Sequence, residues 1–398
     1  MNGPLQGVKV VELGIWVAAP AAGSMLADWG ADVIKIESPG GDPLRAASAA
    51  VLQPDAEVNP HFGPDNRGKR SAVLDLRSDE GRAGMLALLD AADVFVTNVR
   101  LAGLARLGLD PESVRARNPR LVYAVITAYG MTGPDAGAGG FDLGAFWARG
   151  GVAGLLTVPG QAPPIQRTAM GDHQTAVTAA AMISAALFER ERTGAGQLVS
   201  TSLLRVAAYH IAADLNTKLM RDDDPEFPQR ESLFNPLWNN YATADGRRLW
   251  LINPAPDRAW PILAKLLDRT DWLDDPRYVS QAARTEHCRE LIGELDEIFA
   301  RRDLAHWTRL LTTEPDLLWA PVNTVDDILA DPQATAAGAF VEVEETYGVV
   351  RQVSTPVDFH ESPGRPLVGA PGVGQHTADV LAALAEQPGA WPARDQER

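Results

Sequence analysis

Asp172 is the residue of this sequence whose type and position could most directly do chemistry. It lies in the segment 168–173, which reads TAMGDH, just before an alanine-rich stretch that predicts a helix from about Gln174. Unpaired backbone N–H groups and the helix dipole favour the charged carboxylate at such a position, and Gly171 would let a ligand approach the backbone closely. An ionised carboxylate of this kind can act as a nucleophile, but it can equally be an ordinary helix cap.

Short β-branched segments alternate with helical patterns over the first part of the chain. The predicted strands are 8–13, 31–37, 71–76, 94–97 and 121–127, and the predicted helices are 20–28, 80–90 and 111–118. This alternation predicts a parallel sheet covered by helices on both faces. The turn at 14–20 lacks the three spaced glycines of a dinucleotide-binding loop, so we expect the doubly wound sheet without a nicotinamide cofactor.

Composition changes at the charged, proline-bearing segment 221–225. We predict that a large Rossmann-like α/β domain is built from residues 1–221 together with the C-terminal segment 326–398, which returns to it. Residues 222–325 are predicted to form a smaller α+β domain between them.

Charge and cysteine content limit the classes of partner. The chain of 398 residues has 36 Lys and Arg against 52 Asp and Glu, a formal charge of −16, which argues against nucleic acid. The single cysteine, Cys288, suits a reducing compartment, and the first residues lack a signal-peptide pattern. The histidines have no metal-ligand spacing. We therefore expect a cytoplasmic protein without a membrane partner or a bound metal.

Three further segments precede Asp172 in a characteristic order. They are VIKIE at 33–37, NRGKRS at 66–71 and YGMTGP at 129–134. The ordered set, which extends to APVN at 320–323 and GQHT at 374–377, resembles the family III CoA-transferases (CaiB/BaiF type), the group that includes formyl-CoA transferase and carnitine CoA-transferase.

The resemblance implies an acyl-CoA:carboxylate CoA-transferase with Asp172 as the catalytic nucleophile. The carboxylate would form a mixed anhydride with the acyl group and then an aspartyl-CoA thioester, so CoA and acyl-CoA are substrates and no prosthetic group is needed. Family members are intertwined homodimers whose active site lies between the large domain of one subunit and the small domain of the other. We expect the same assembly here.

The resemblance also assigns binding positions residue by residue. The turn at Ile15, Trp16, Val17 and Ala18 matches the segment that lines the acyl and thioester end in the family. The positions that match the CoA groove are Lys69, Arg70, Asn98, Val99 and Arg106. Tyr129 and Gly130 match a motif near the active site.

Some positions depart from the family pattern. Formyl-CoA transferase has a histidine at the position of Ile15 and a glutamine at Val17, and the loss of these donors argues against oxalate or formate as substrates. It has a basic residue at the position of Ser38, so the contacts with the adenine end of CoA are expected to differ here. Formyl-CoA transferase also has a glycine-rich loop that shields its aspartyl intermediates. No glycine run precedes Trp238 in this chain, so the same loop is not expected here. Aromatic residues in segments expected to border the acyl pocket suit a larger, partly apolar acyl group, or are core or interface packing: Trp16, Phe146, Trp147, Phe234 and Trp238.

Two alternatives remain open from sequence. The first is a 2-methylacyl-CoA racemase, whose proton transfer uses a histidine before an aspartate where this chain has Phe141 and Asp142. The second is a non-catalytic CoA-binding protein that has kept the fold. His173, next to the predicted nucleophile, is expected to be structural because adjacent residues at a helix start point apart.

Overall fold

The computed structural model describes residues 3–51, 59–222, 229–362, 364, 367–387 and 389–393. Packing divides the chain into two units, Met1–Pro225 together with Ala336–Arg398, and Glu226–Thr335. The C-terminal segment thus packs with the N-terminal one. The smaller unit ends at Thr335.

The larger unit is built on a parallel sheet, as the alternation of strands and helices predicts. Its strands are β1 (Lys9–Leu13), β2 (Asp32–Glu37), β3 (Arg70–Val73), β4 (Val94–Thr97), β5 (Val122–Thr127) and β6 (Leu198–Ser202). They pair in the order β3-β2-β1-β4-β5-β6, and every neighbouring pair is parallel. The order reverses between β1 and β4, and such a switch point opens a crevice at the carboxyl ends of the strands.

The larger unit also contains helices, several of which cover the sheet. They are α1 (Ala18–Asp28), α2 (Pro43–Val51), α3 (Phe62–Asn66), α4 (Asp79–Ala91), α5 (Leu101–Arg106), α6 (Pro111–Arg117), α7 (Val152–Leu156), α8 (Met170–Thr193), α9 (Leu203–His210), α10 (Ala212–Arg221) and α17 (Thr377–Glu386), with a π-helix at Leu143–Ala148. One buried cluster joins α1 and α8 to the sheet through small side chains such as Ala22, Ala179 and Ala180. Alanines allow close helix packing, which explains the alanine-rich sequences of α1 and α8.

The C-terminal segment covers the outer edge of β3. Ser71 donates its backbone N–H to His376 Nδ1 at 3.1 Å, and Val73 donates to Thr377 Oγ1 at 2.9 Å. A strand edge with its donors satisfied in this way cannot pair with another chain. A hairpin of β10 (Phe340–Glu345) and β11 (Gly348–Val353) precedes this segment.

The smaller unit combines an antiparallel sheet with helices. Its strands β7 (Trp238–Ala242), β8 (Arg248–Ile252) and β9 (Trp319–Pro321) pair in that order. Its helices are α11 (Pro256–Leu266), α12 (Gln281–Glu286), α13 (Cys288–Phe299), α14 (Leu304–Leu311), α15 (Val325–Ala330) and α16 (Pro332–Ala336), with 3-10 turns at Arg230–Ser232 and Thr270–Leu273. Trp260 and Trp272 stack at 5.3 Å within its own core.

Among the residues that the structure describes, no helix has the length and apolar character required to cross a bilayer.

Candidate active site

The turn between β1 and α1 lies at the switch point of the sheet and has a strained backbone. Trp16 adopts a positive φ of 63°, which is uncommon for a residue with a bulky side chain. Asn98, after β4, holds the preceding residue from both sides: its Oδ1 accepts from Ile15 N at 3.0 Å and its Nδ2 donates to Ile15 O at 2.7 Å. Asp42 Oδ1 accepts from Trp16 N at 3.2 Å. The turn is therefore held by side chains from two other segments.

Behind this turn lies a buried network of four charges. Lys35 Nζ lies 2.9 Å from both Glu12 and Asp42, and Lys69 Nζ lies 2.7 Å from Glu12. The four side chains have no solvent exposure. Gly23 of α1 makes room for the network, because a Cβ there would lie 2.0 Å from Glu12 Oε2.

The two lysines of this network differ in their proton affinity. Burial opposes the charge of Lys35, but Glu12 and Asp42 together hold the pKa of Lys35 above its usual value. Burial lowers the pKa of Lys69 to about 8, although Glu12 opposes the shift. Lys69 shares Glu12 with Lys35, which explains why its charge is the less stabilised of the two.

Lys69 and Arg70, two of the predicted CoA-groove residues, are both buried and engaged by groups of the protein. Lys69 Nζ also donates to the carbonyl oxygens of Pro20 and Asp65, each at 2.8 Å. Arg70 is buried, pairs with Asp32 at 2.7 Å and donates to the carbonyl of Pro392 at 2.8 Å. Both cations are already satisfied within the protein, so their burial is at odds with direct binding of a ligand.

The other predicted positions differ in accessibility. Val17 and Ala18 are buried at the start of α1, so only their backbone could meet a ligand. Val99 is partly buried and donates its N–H to Thr97 Oγ1 at 3.1 Å. Arg106 is exposed at the end of α5 and remains an accessible cation.

Tyr129 and Gly130 lie just beyond the end of β5, after Ala128. Gly130 has a φ of 107°, which favours glycine, and its N–H donates to Thr127 Oγ1 at 2.8 Å. The guanidinium of Arg149 lies 4.7 Å from the centre of the Tyr129 ring and pairs with Asp135 at 2.7 Å. These contacts fix the loop that leads to Asp142.

A cleft of 440 Å³ opens at the carboxyl ends of the first three strands. Its walls come from the turn after β1, the glycine-bearing segment after β2, the segment after β3 and one residue after α5. The lining residues include Gly14, Ile15, Ser38, Gly40, Asp42, Asp75, Arg77 and Leu107. The cleft therefore lies beside the strained turn, at the edge where open α/β sheets bind ligands.

Asp172 occupies the first turn of α8, but this helix starts earlier than the sequence suggested. It begins at Met170, and Ala169 before it has a positive φ of 63°. Asp172 is thus the third residue of the helix, and its side chain is partly buried. Burial and the negative charges of Asp142 and Asp65 raise the pKa of Asp172 to about 7, while His173 opposes the shift. Burial therefore outweighs the stabilisation of the charged carboxylate that was expected from the helix start.

Gly171 has a packing role in addition to any role towards a ligand. A Cβ at this position would lie 2.5 Å from Cγ of Phe146, which is itself buried. Phe146 belongs to the π-helix whose first cap is Asp142. The absence of a side chain at Gly171 thus lets the start of α8 pack against this π-helix and brings Asp172 towards Asp142.

The groups around Asp172 are themselves anchored. His173 Nε2 lies 3.1 Å from Asp65 Oδ1, and this hydrogen bond raises the pKa of His173. Asp142 accepts from Gln166 Nε2 at 3.0 Å and from Leu143 N at 2.8 Å. Asp65 and Gln166 were not identified from the sequence. Their partners are distant or lie in irregular loops, so no periodic pattern connects them.

The predicted aromatic residues fall into three groups. Phe146 and Trp147 belong to the π-helix and are buried in the core cluster there, which favours the packing interpretation. Trp16 meets the exposed Phe141 edge-on, with ring centres 5.5 Å apart. Phe234 and Trp238 belong to the smaller unit.

Comparison with known proteins identifies the class. The model of CoA-transferase family III matches residues 5–377, and the chain belongs to this family. It is therefore a CoA-transferase, an enzyme that handles CoA thioesters.

Individual relatives are similar over nearly their whole length. The (R)-2-hydroxy-4-methylpentanoate CoA-transferase of Clostridioides difficile is 34% identical over 96% of this chain and 95% of its own. The succinate–glutarate CoA-transferase of Agrobacterium fabrum is 35% identical over 96% of both chains. The crystal structure of a CAIB/BAIF family protein from Brucella suis superimposes with a TM-score of 0.84, at 32% identity, over 96% of this chain and all of the other.

Proposed function

We propose that the protein exchanges CoA between an acyl-CoA and a free carboxylic acid through covalent intermediates on Asp172. The observation that carries this proposal is a partly buried carboxylate with a pKa near 7, in the first turn of a long helix. A carboxylate with a raised pKa is a stronger nucleophile once it is ionised, and it is still largely ionised at slightly alkaline pH.

The proposed reaction has four balanced steps. An oxygen of Asp172 attacks the thioester carbonyl, the C–S bond breaks, and a mixed anhydride and the CoA thiolate result. The thiolate then attacks the aspartyl carbonyl and releases the first acid, leaving an aspartyl-CoA thioester. The acceptor acid attacks this thioester and expels the thiolate, which finally attacks the acyl carbon of the new anhydride. Product acyl-CoA leaves, and the carboxylate of Asp172 is restored without net proton transfer.

Coenzyme A is proposed to lie in the cleft at the switch point. The glycines after β2 allow close approach, and the exposed Arg77 and Arg106 can approach phosphate groups as cations. The buried Lys69 would affect CoA binding only indirectly. It belongs to the network whose Asp42 holds the turn at Trp16, and this turn borders the cleft. The family assembly as an intertwined homodimer stays a prediction.

Transfer is favoured over racemisation by the chemistry beside Asp142. Racemisation needs two proton-exchanging groups on opposite faces of the α-carbon. Phe141 carries no exchangeable proton on its ring and packs against Trp16. The carboxylate of Asp142 is held by Gln166 and Leu143. The names of the relatives cover both a branched aliphatic acid and dicarboxylates, so similarity does not choose the acid.

Hydroxylamine is expected to trap the covalent intermediate. Incubation of the enzyme with an acyl-CoA substrate and hydroxylamine should convert Asp172 to a hydroxamate, because anhydrides and thioesters react readily with this nucleophile. Mass spectrometry of the tryptic peptide 168–190 would locate the adduct. The control omits acyl-CoA and should leave the peptide unmodified. Rapid CoA exchange with no adduct on this peptide would contradict the proposed role of Asp172.

The pH dependence of kcat/KM should reveal the raised pKa. Only ionised Asp172 is nucleophilic, and the pKa of this group in the free enzyme is about 7. We expect kcat/KM to level off at alkaline pH and to fall about tenfold per pH unit well below pH 7, since kcat/KM reports the free enzyme. A profile that is flat down to the ordinary pKa range of aspartate, about 4, would show that Asp172 is not the titrating nucleophile.

A further inference from the structure

The surroundings of Asp172 in the larger unit combine exposed apolar side chains with negative charge. Phe141 and Leu143 flank Asp142 and are 62% and 53% exposed. Met170, in the same helical turn as Asp172, is 42% exposed, and Ile15 of the strained turn is 40% exposed. Neighbouring apolar side chains that remain accessible mark a surface suited to an apolar ligand.

Contacts connect these side chains to the carboxylate. The Phe141 ring meets Trp16 edge-on at 5.5 Å, which links the loop before the π-helix to the turn after β1. The π-helix in turn packs beneath the start of α8, where Phe146 lies against Gly171. Asp172 and the apolar side chains therefore belong to one contiguous region of the larger unit.

The charges of this region oppose a second carboxylate. Asp142 and Asp65 both act on Asp172 as negative groups. The imidazole of His173, which opposes the rise in the pKa of Asp172, is engaged by Asp65 at 3.1 Å. Arg149, on the adjacent segment, is paired with Asp135 and lies over Tyr129. A substrate must bring one carboxylate to Asp172, but a distal second one would meet the negative charges of Asp142 and Asp65 and the exposed apolar side chains.

We propose that the acyl groups transferred by this enzyme are those of apolar monocarboxylic acids, branched aliphatic or aryl, and that dicarboxylic acids are poor substrates. This inference rests on the proposed function and adds the substrate class. The ring of Phe141, packed on Trp16, forms part of the wall that contacts the acyl chain.

The test measures CoA exchange with a defined panel. Isobutyryl-CoA, 3-phenylpropanoyl-CoA, succinyl-CoA and glutaryl-CoA are each incubated with each of the four corresponding acids, and the product thioesters are quantified by mass spectrometry. Apolar donor and acceptor pairs are expected to have kcat/KM values at least about tenfold above those of the dicarboxylate pairs. Equal or faster exchange between succinate and glutarate would overturn the substrate class while leaving the transferase function intact. No exchange with any pair, together with no hydroxylamine adduct, would overturn the proposed function itself.

Substitution of Phe141 tests the proposed contact between its ring and the acyl chain. Phe141→Ala should lower kcat/KM for 3-phenylpropanoate about tenfold, mainly through KM, because an apolar contact of substrate and transition state alike is removed. The matched control is Phe188→Ala, an equally exposed phenylalanine near the other end of α8, which should leave kcat/KM unchanged. An unchanged KM in a folded Phe141→Ala protein would contradict the proposed wall.

Discussion

Replacement of Asp172 by Asn should lower the rate of CoA exchange by several orders of magnitude, on the order of 10³-fold or more. The side-chain amide has nearly the same shape but cannot form the anhydride, so the covalent route is lost while CoA binding is retained. Exchange of label between acyl-CoA and free acid measures the rate, and calorimetric titration with CoA measures binding. The matched control is Asp379→Asn, an exposed aspartate in the first turn of α17, which should retain full activity.

The same variant should be more stable than the wild type at alkaline pH. The folded-state pKa of Asp172, about 7, is above its ordinary value of 3.8, so the protonated form is favoured by folding. The stabilisation from this proton is present below pH 4 and is lost as the pH rises through 7. In thermal melting, the Tm of the Asn variant should rise relative to the Tm of the wild type between pH 4 and pH 8. A variant that is active, or whose stability relative to the wild type does not change with pH, would contradict the assigned role and environment.

The second large effect is expected at Glu12, the carboxylate shared by the two buried lysines. Glu12→Gln keeps the volume of the side chain but leaves Lys35 and Lys69 with Asp42 as the remaining carboxylate of the network. Removing one partner of a buried ion pair typically costs about 3–5 kcal/mol, because an uncompensated charge remains in a medium of low dielectric. Urea unfolding followed by circular dichroism should show a loss of this size in the free energy of unfolding.

An exposed glutamate provides the control for this substitution. Glu191→Gln, on α8, changes a side chain that is 70% exposed and should alter stability by no more than about 0.5 kcal/mol. If Glu12→Gln were as mild as the control, the lysines would have to be neutral or hydrated, and the network would not stabilise the turn at Trp16. A folded Glu12→Gln protein should also show weaker CoA binding, because Asp42, which holds that turn, loses part of its network.

The amino-acid sequence by itself determined the framework. The strand at 94–97 lies at the residues predicted for it, and the strands β1 and β5 differ from their predicted bounds by one residue at one end. Local patterns suffice here because a strand buried on both faces needs a continuous apolar segment, whatever its neighbours are. The ordered motifs likewise identified the family and drew attention to Asp172, since their information is carried by residue type and order.

The tertiary structure alone decided what surrounds those residues. Lys69 is a cation in a basic motif, but its distance from Glu12, which lies far away in sequence, makes it a buried member of a network. Asp172 stands at a helix start that favours its charge, yet burial and two carboxylates from other segments raise its pKa. Desolvation and Coulomb interactions depend on distances between residues that are remote in the chain, and no spacing within one segment encodes those distances.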